Sequence, residues 1–288
     1  MAVLQDGDFE LDGYLFSGSR EQPLYVMGFN IDPGRSRNQD VPNPMAPELL
    51  QGRDVRTPPL WRFGFRVGHG GAAATLASLA GLTRAWNALA AVPGAESVLR
   101  YAIAGRTRLV YGRAREMFPD YSQVYNLGRV VGSGDFQPRD VWFYDDAMQS
   151  LTVGLVPDTT GGLIAPLRSP LSTAAGSQRQ GVVSVGGDSP APMELVFKGP
   201  VTNPVASSTG WQVGLTATIA YDQTVTVNTR TGTVLRNDGA SLAGALTRRT
   251  YLPEARLRPG ARELIFAGTD PTGTASCTMR WRNTYQSY

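Results

Sequence analysis

Trp211-Gln212-Val213-Gly214-Leu215-Thr216-Ala217-Thr218-Ile219 alternates apolar and polar positions, so every second side chain falls on one apolar face. That is the pattern of a half-buried strand. Downstream, Val225 and Val227 keep the period inside Thr224-Val225-Thr226-Val227-Asn228, and Arg230-Thr231-Gly232 can reverse the chain because glycine tolerates positive φ. Arg258-Pro259-Gly260 combines a fixed φ with a permissive one and so gives a second turn before Glu263-Leu264-Ile265-Phe266-Ala267. Asp270-Pro271-Thr272-Gly273 then leads into a last strand, with Cys277, Met279 and Trp281 on one side and Thr278, Arg280 and Arg282 on the other. Short strands separated by turn signals every 8 to 12 residues or so predict a β-sandwich over 193–288.

Upstream of that block the composition changes. From Pro157 to Pro192 the chain is rich in Gly, Ser, Thr and Pro, as in Ala174-Ala175-Gly176-Ser177 and Gly186-Gly187-Asp188-Ser189-Pro190, which predicts a connection between two domains over 157–192. The remaining segment, 1–156, predicts a β domain carrying one helix. Phe9 to Tyr14 and Leu24 to Ile31 are strand candidates, and Trp61, Phe63, Phe65 and Val67 alternate cleanly with Arg62, Gly64, Arg66 and Gly68. From Ala72 to Ala91 the period lengthens: Leu79, Leu82, Trp86 and Leu89 lie on one helical stripe, and Pro93-Gly94 ends it. Gly81 inside this helix costs about 1 kcal/mol relative to alanine, so packing must hold the helix in place. Leu99, Tyr101 and Ile103, then Gly105-Arg106, then Thr107 to Arg113 predict a hairpin. Further strands fall within Tyr121 to Phe136 and Val141 to Val156, the latter with Leu151, Val153 and Leu155 on one face. Asp32 to Pro59, with six prolines and Arg35, Arg37, Arg53 and Arg56, has no period and predicts a long functional or mobile loop. The fold class is therefore mainly β: a sandwich-like N-terminal domain with one helix, followed by a β-sandwich.

Composition narrows the function. The 33 Gly and 20 Pro suit a loop-rich β protein, and a length of 288 residues suits two domains. Up to Pro192 there are 17 Arg against 18 acids, and beyond it 9 Arg and Lys198 against 6. Positive charge this thinly spread argues against a dedicated nucleic-acid surface. Cys277, the single cysteine, can form no intrachain disulfide and reads as a small buried hydrophobe in a chain made in a reducing cytosol. No stretch of 18 apolar residues occurs, so no membrane span is predicted.

Little in the chain does chemistry. His69 is the only histidine, sits in Gly68-His69-Gly70-Gly71 and lacks a second ligand for zinc. No Gly-x-Ser-x-Gly elbow or phosphate-loop lysine accompanies it. Asp145 with Asp146, or Glu116 with Asp120, supplies paired carboxylates, but closeness in sequence does not place two acids across one cleft. Neither a catalytic residue nor a cofactor or metal site is predicted.

One resemblance ties these segments together. Phe197-Lys198-Gly199-Pro200-Val201-Thr202-Asn203-Pro204, then Val225-Thr226-Val227-Asn228-Thr229-Arg230-Thr231-Gly232-Thr233-Val234, then Leu257 to Phe266 and Met279-Arg280-Trp281-Arg282 recur in this order in the family the chain resembles. It is similar to the distal tail (Dit), or minor tail, proteins of siphophages, whose C-terminal half is galectin-like. The strand, helix and Gly-Arg hairpin of the N-terminal half, and Asp140-Val141-Trp142-Phe143-Tyr144-Asp145, match that family more loosely. The resemblance implies a structural component of the virion at the tail tip, assembled in the host cytoplasm. It implies a homo-hexameric hub between the tail tube and the baseplate, around a channel for the genome, with the tube, tape measure and downstream tail-tip proteins as partners. It further implies that Arg62 and Arg66 lie at subunit contacts or face that channel. A galectin-like sandwich also admits a carbohydrate-binding module, with Trp211 and Trp281 as sugar platforms, although their alternation points both inward. A tail-associated hydrolase is the third reading.

Overall fold

The computed structural model describes residues 3–19, 22–31, 34–68, 70–155, 180–270 and 272–288. His69, Val156 and most of the predicted connection, 157–179, lie outside the described residues. The chain forms two compact units, Met1–Asp146 with Tyr285–Tyr288, and Ala147–Thr284. The second unit is thus inserted, in sequence, before the last four residues of the first. The segment 147–155 and the tail 285–288 each sit in the other unit from the one the sequence suggested.

In the first unit seven antiparallel strands lie side by side: Tyr14–Phe16, Phe9–Leu11, Ser97–Ile103, Arg106–Asp120, Val130–Pro138, Trp61–Val67 and Leu24–Asn30. Two tight turns make this order possible. Asp12 and Gly13 both take positive φ (49° and 88°), as do Ala104 and Gly105 (53° and 72°), the geometry that two-residue hairpins need to match strand twist. The two ends of the sheet meet at a parallel bridge between Ser17 and Tyr25, where Ser17 N–H donates to Leu24 O (3.2 Å) and Val26 N–H to Ser17 O (2.9 Å). The sheet therefore curls onto itself and leaves little unpaired edge at that corner.

The helix runs Ala72–Asn87 and continues as hydrogen-bonded turns to Ala95. Its buried stripe is Thr75, Leu79, Leu82 and Trp86, while Leu89, predicted as the next member, is half-buried past the helix end. Trp86 packs against Phe16 and Phe63 and donates its indole N–H to Arg115 O (2.9 Å). A second, four-residue helix, Val124–Leu127, carries no sequence period because one turn is too short to show one. Aromatic rings fill the rest of the core, with Phe29, Trp61, Phe63 and Tyr101 in edge and stacked contacts around Phe9.

The second unit is a sandwich. One sheet orders Gln149–Gly154, Ser276–Trp281, Ala191–Lys198, Thr224–Asn228 and Thr233–Arg236, with Arg256–Leu257 beside the third of these. The other orders Gln180–Val185, Gly260–Thr269, Val201–Ser208 and Trp211–Gly214, with Thr218–Ile219 also on Val201–Ser208. Leu195, Phe197, Met279 and Cys277 from the first meet Leu264, Phe266 and Val213 from the second, and Phe197 and Phe266 lie 5.9 Å apart. Leu151, Val153 and Leu155 share one face as predicted, but that face belongs to this core. The opening stretch, Trp211 to Ile219, is interrupted after Gly214. Its partner strand bulges between Thr202 and Val205, where Asn203 takes a φ of 52° and Pro204 has no N–H to give to a ladder.

Candidate assembly surface

Two features of the first unit stand away from its core. The first is the segment the sequence left without a period. Arg35–Arg37 pairs with Val55–Thr57, and Val41–Pro42 with Leu49–Leu50, so residues 34–57 form an antiparallel arm. It continues the hairpin made by Leu24–Asn30 and Trp61–Val67. Asn30 faces Arg62 and, five residues further along each strand, Arg35 faces Thr57, so the register carries through. Asn43 N–H donates to Glu48 O (3.0 Å) and closes the tip. Gly52 lets the two strands come together there, since a Cβ at this position would lie 2.2 Å from Gln39 O. At about 3.3 Å per residue, Arg35 to Met45 extends roughly 30 Å. Asn38 to Gly52 hydrogen-bond only to one another among the described residues. Val41, Met45, Leu49 and Leu50 are exposed along it. Strands of two or three residues are too short to show a period, which is why proline content alone marked this stretch.

The second is the outer side of the strand Trp61–Val67, where Arg62 and Arg66 were expected at contacts or facing a channel. Arg62 stands opposite Asp135 across the ladder, and its Nε and Nη2 reach the two carboxylate oxygens at 2.8 and 3.0 Å. Asp135 is nearly buried, so the exposed guanidinium is what satisfies it. Arg66 lies over the Tyr25 ring, 5.4 Å from its centroid, and donates to the Tyr25 hydroxyl (3.3 Å). Neither partner was named from the sequence, because strand pairing between residues so far apart leaves no local period. Between the two arginines Gly28, Gly64 and Ser133 stand side by side, so the surface there is close to bare backbone that another chain can approach.

Three of the four acids weighed for catalysis, Asp145, Asp146 and Asp120, are otherwise engaged. Asp146 binds Arg100 Nε and Nη2 (2.7 and 2.6 Å), Arg100 Nη1 also reaches Glu10 (2.9 Å), and Arg100 is almost wholly buried. The hydrogen bonds that Arg100 donates to Asp146, opposed by burial and supported by Glu10, hold this guanidinium firmly charged. Asp145 pairs instead with Arg108, so adjacent carboxylates serve different cations. Asp120 accepts from Ser122 N–H and Oγ, which lowers its pKa, and shares no partner with Glu116. Trp211 and Trp281 are in the sandwich core, so neither offers a ring to a sugar. Among the described residues no three potential ligands gather as a metal site, and no helix is long and apolar enough to cross a membrane.

The fold of this chain is shared by solved proteins of phage tails. The Dit protein of phage SPP1, described as a paradigm of the hub adsorption apparatus in phages infecting Gram-positive bacteria, superposes over 96% of this chain and 98% of its own, with a TM-score of 0.59 at 10% identity. Chains of the phage P2 baseplate in its activated conformation, with Ca and with Sr, match over 95% of this chain and 97% of theirs, with TM-scores of 0.57 and 0.55 at 10% identity. By sequence, no family model and no curated protein matches.

Proposed function

We propose that this protein is a structural component of a phage tail tip, a distal tail protein that forms the hub between tail tube and baseplate. The observation that carries the reading is coverage: both units are matched in one chain, nearly end to end, by a phage hub protein. A sandwich alone would fit many functions, because one fold hosts many sites. In this reading the first unit builds a homo-hexameric ring in the virion, the genome passes through the ring without specific binding, and the tube, tape measure and downstream tail-tip proteins are its neighbours. Assembly takes place in the host cytoplasm. The role is mechanical rather than enzymatic, in keeping with acids tied up in ion pairs. The outer side of Trp61–Val67, with its bare strip between Arg62 and Arg66, is a surface this reading assigns to subunit contact or channel. Rings of this kind use two different faces of each protomer, so no stable dimer need precede them. Light scattering over a concentration series, with negative-stain images of the heaviest species, tests it. Six-fold rings are the expected result; a protein monomeric at every concentration and unable to join purified tail tubes would count against it.

A further inference from the structure

A small hollow opens on the first unit where the turns that follow the helix meet the strands Arg106–Asp120 and Val130–Pro138. It has a volume of about 280 Å³, and Arg113, Arg115, Arg139 and Glu96 are its charged walls. Three guanidiniums against one carboxylate leave an excess of two positive charges. Arg139 pairs with Glu96. Arg113 has no carboxylate among the described residues: its Nη2 donates to Leu89 O (3.2 Å) and Val92 O (2.5 Å), while its Nε is enclosed and meets no acceptor. Arg115 is exposed and makes no ion pair among the described residues, not even with Glu116, which lines an adjoining hollow.

We propose that this hollow binds a small oxyanion, a carboxylate or a phosphate group, between the guanidiniums of Arg113 and Arg115. The inference does not depend on the hub reading. Three observations select the ligand. The sign of the charge excess calls for an anion, since partly buried cations are ordinarily paired. A guanidinium carries five N–H donors in a fixed fork, and the two carbonyls take only Nη2 of Arg113, which leaves the enclosed Nε in need of an acceptor. Two oxygens on one planar group match such a fork, which a halide cannot do. The size sets the scale: 280 Å³ falls just below the roughly 300 to 1,000 Å³ of sites for larger ligands. One anionic group on a short stem fits, either the side chain of Asp or Glu from a neighbouring protein or free phosphate.

Calorimetric titration of the full chain with sodium phosphate and, separately, with sodium glutarate tests this, at an ionic strength held constant with chloride. Saturable one-to-one binding with a Kd on the order of 1 mM is expected for a single fork of charge-assisted hydrogen bonds. Arg115→Gln changes an exposed side chain that makes no ion pair, so it should fold normally and weaken binding about ten-fold. Arg84→Gln, exposed on the helix and outside the hollow, should leave binding unchanged. Glu96→Gln should tighten binding about three-fold, because it removes the one negative charge of the hollow and releases Arg139. Damage to the local fold would move the affinity the other way. Tighter glutarate assigns the site to a carboxylate side chain and tighter phosphate to the free ion, and either sustains it. Binding that survives Arg115→Gln unchanged, or no saturable binding of either anion up to about 50 mM, would overturn the proposal while leaving the hub reading untouched.

Discussion

The guanidinium carbon of Arg108 lies 3.5 Å from the centroid of the Tyr285 ring, and the Tyr285 hydroxyl donates to Asp145 (3.2 Å), the carboxylate that pairs with the same arginine. Tyr288 extends the arrangement by tilting against Tyr101, 5.4 Å between centroids, and donating to Arg106 O (3.0 Å) and Ile103 O. Four residues at the far end of the sequence therefore cover part of a core whose other members lie before Asp146. Tyr101 is completely buried, and burial raises its pKa, as it does that of Tyr288.

Removing residues 285–288 should therefore destabilise the first unit although the inserted sandwich remains whole. A cation–π contact and a hydrogen bond together suggest about 2 kcal/mol for Tyr285→Ala, with Tyr285→Phe costing roughly 1 kcal/mol through the lost hydroxyl. Calorimetry of the full chain and of a version ending at Thr284 checks it. The same reasoning applies to dissection: residues 1–146 alone should melt lower than residues 1–146 joined by a Gly/Ser linker to 285–288. Equal melting of the two would show that the tail is a passenger.

Gly81 offers a second test. A Cβ there would lie 3.1 Å from the Tyr14 hydroxyl, which itself donates weakly to Ser78 O (3.4 Å), but 3.7 Å from the ring carbons behind it. Alanine should gain up to about 1 kcal/mol of helix propensity and give some of it back by pressing on that hydroxyl. Gly81→Ala is thus expected to stabilise more in a Tyr14→Phe background than in the native chain. Denaturant unfolding of the four proteins in the double-mutant cycle reads the difference.

Asp270 sets an acid limit for the sandwich. Burial pushes its carboxyl up, but hydrogen bonds from Ala275 N–H (2.8 Å), Thr272 Oγ1 (2.7 Å) and Thr272 N–H (2.8 Å) outweigh burial and hold its pKa below the ordinary value. A depressed carboxyl contributes stability that is fully present above its unfolded pKa, about 4, and is lost as pH falls through the folded value. Stability of the second unit should fall as pH drops below about 4, and Asp270→Asn should weaken it at neutral pH while flattening that fall. Urea titrations at pH 7 and at pH 3 measure both effects.

Cys277 supplies the probe for such experiments. It is completely buried between the sheets, and burial pushes its thiol pKa up, which suppresses the reactive thiolate. Labelling by a thiol reagent should therefore follow opening of the second unit and be negligible in the native protein. Fast labelling under native conditions would mean that this sandwich opens far more often than its core implies.

The sequence determined what depends on neighbours along the chain. Alternation marked Trp61–Val67 and Ser276–Trp281, the stripe Leu79, Leu82 and Trp86 marked the helix, and Arg230-Thr231-Gly232 marked a turn, with Gly232 at a φ of 72°. Each follows from backbone geometry with a period of a few residues. The ordered segments also carried a family resemblance at the level of fold. Tertiary structure alone decided which strands became neighbours: Arg62 with Asp135, 73 residues apart, Gln149–Gly154 with the sandwich, and Tyr285–Tyr288 with the first unit. It also decided that Arg100, which alternates with Leu99 and Tyr101 like an outward-facing residue, is buried and paired with Glu10 and Asp146. Such pairings arise when loops close over long separations and both faces of a strand are covered, and no local period records which distant residue will arrive.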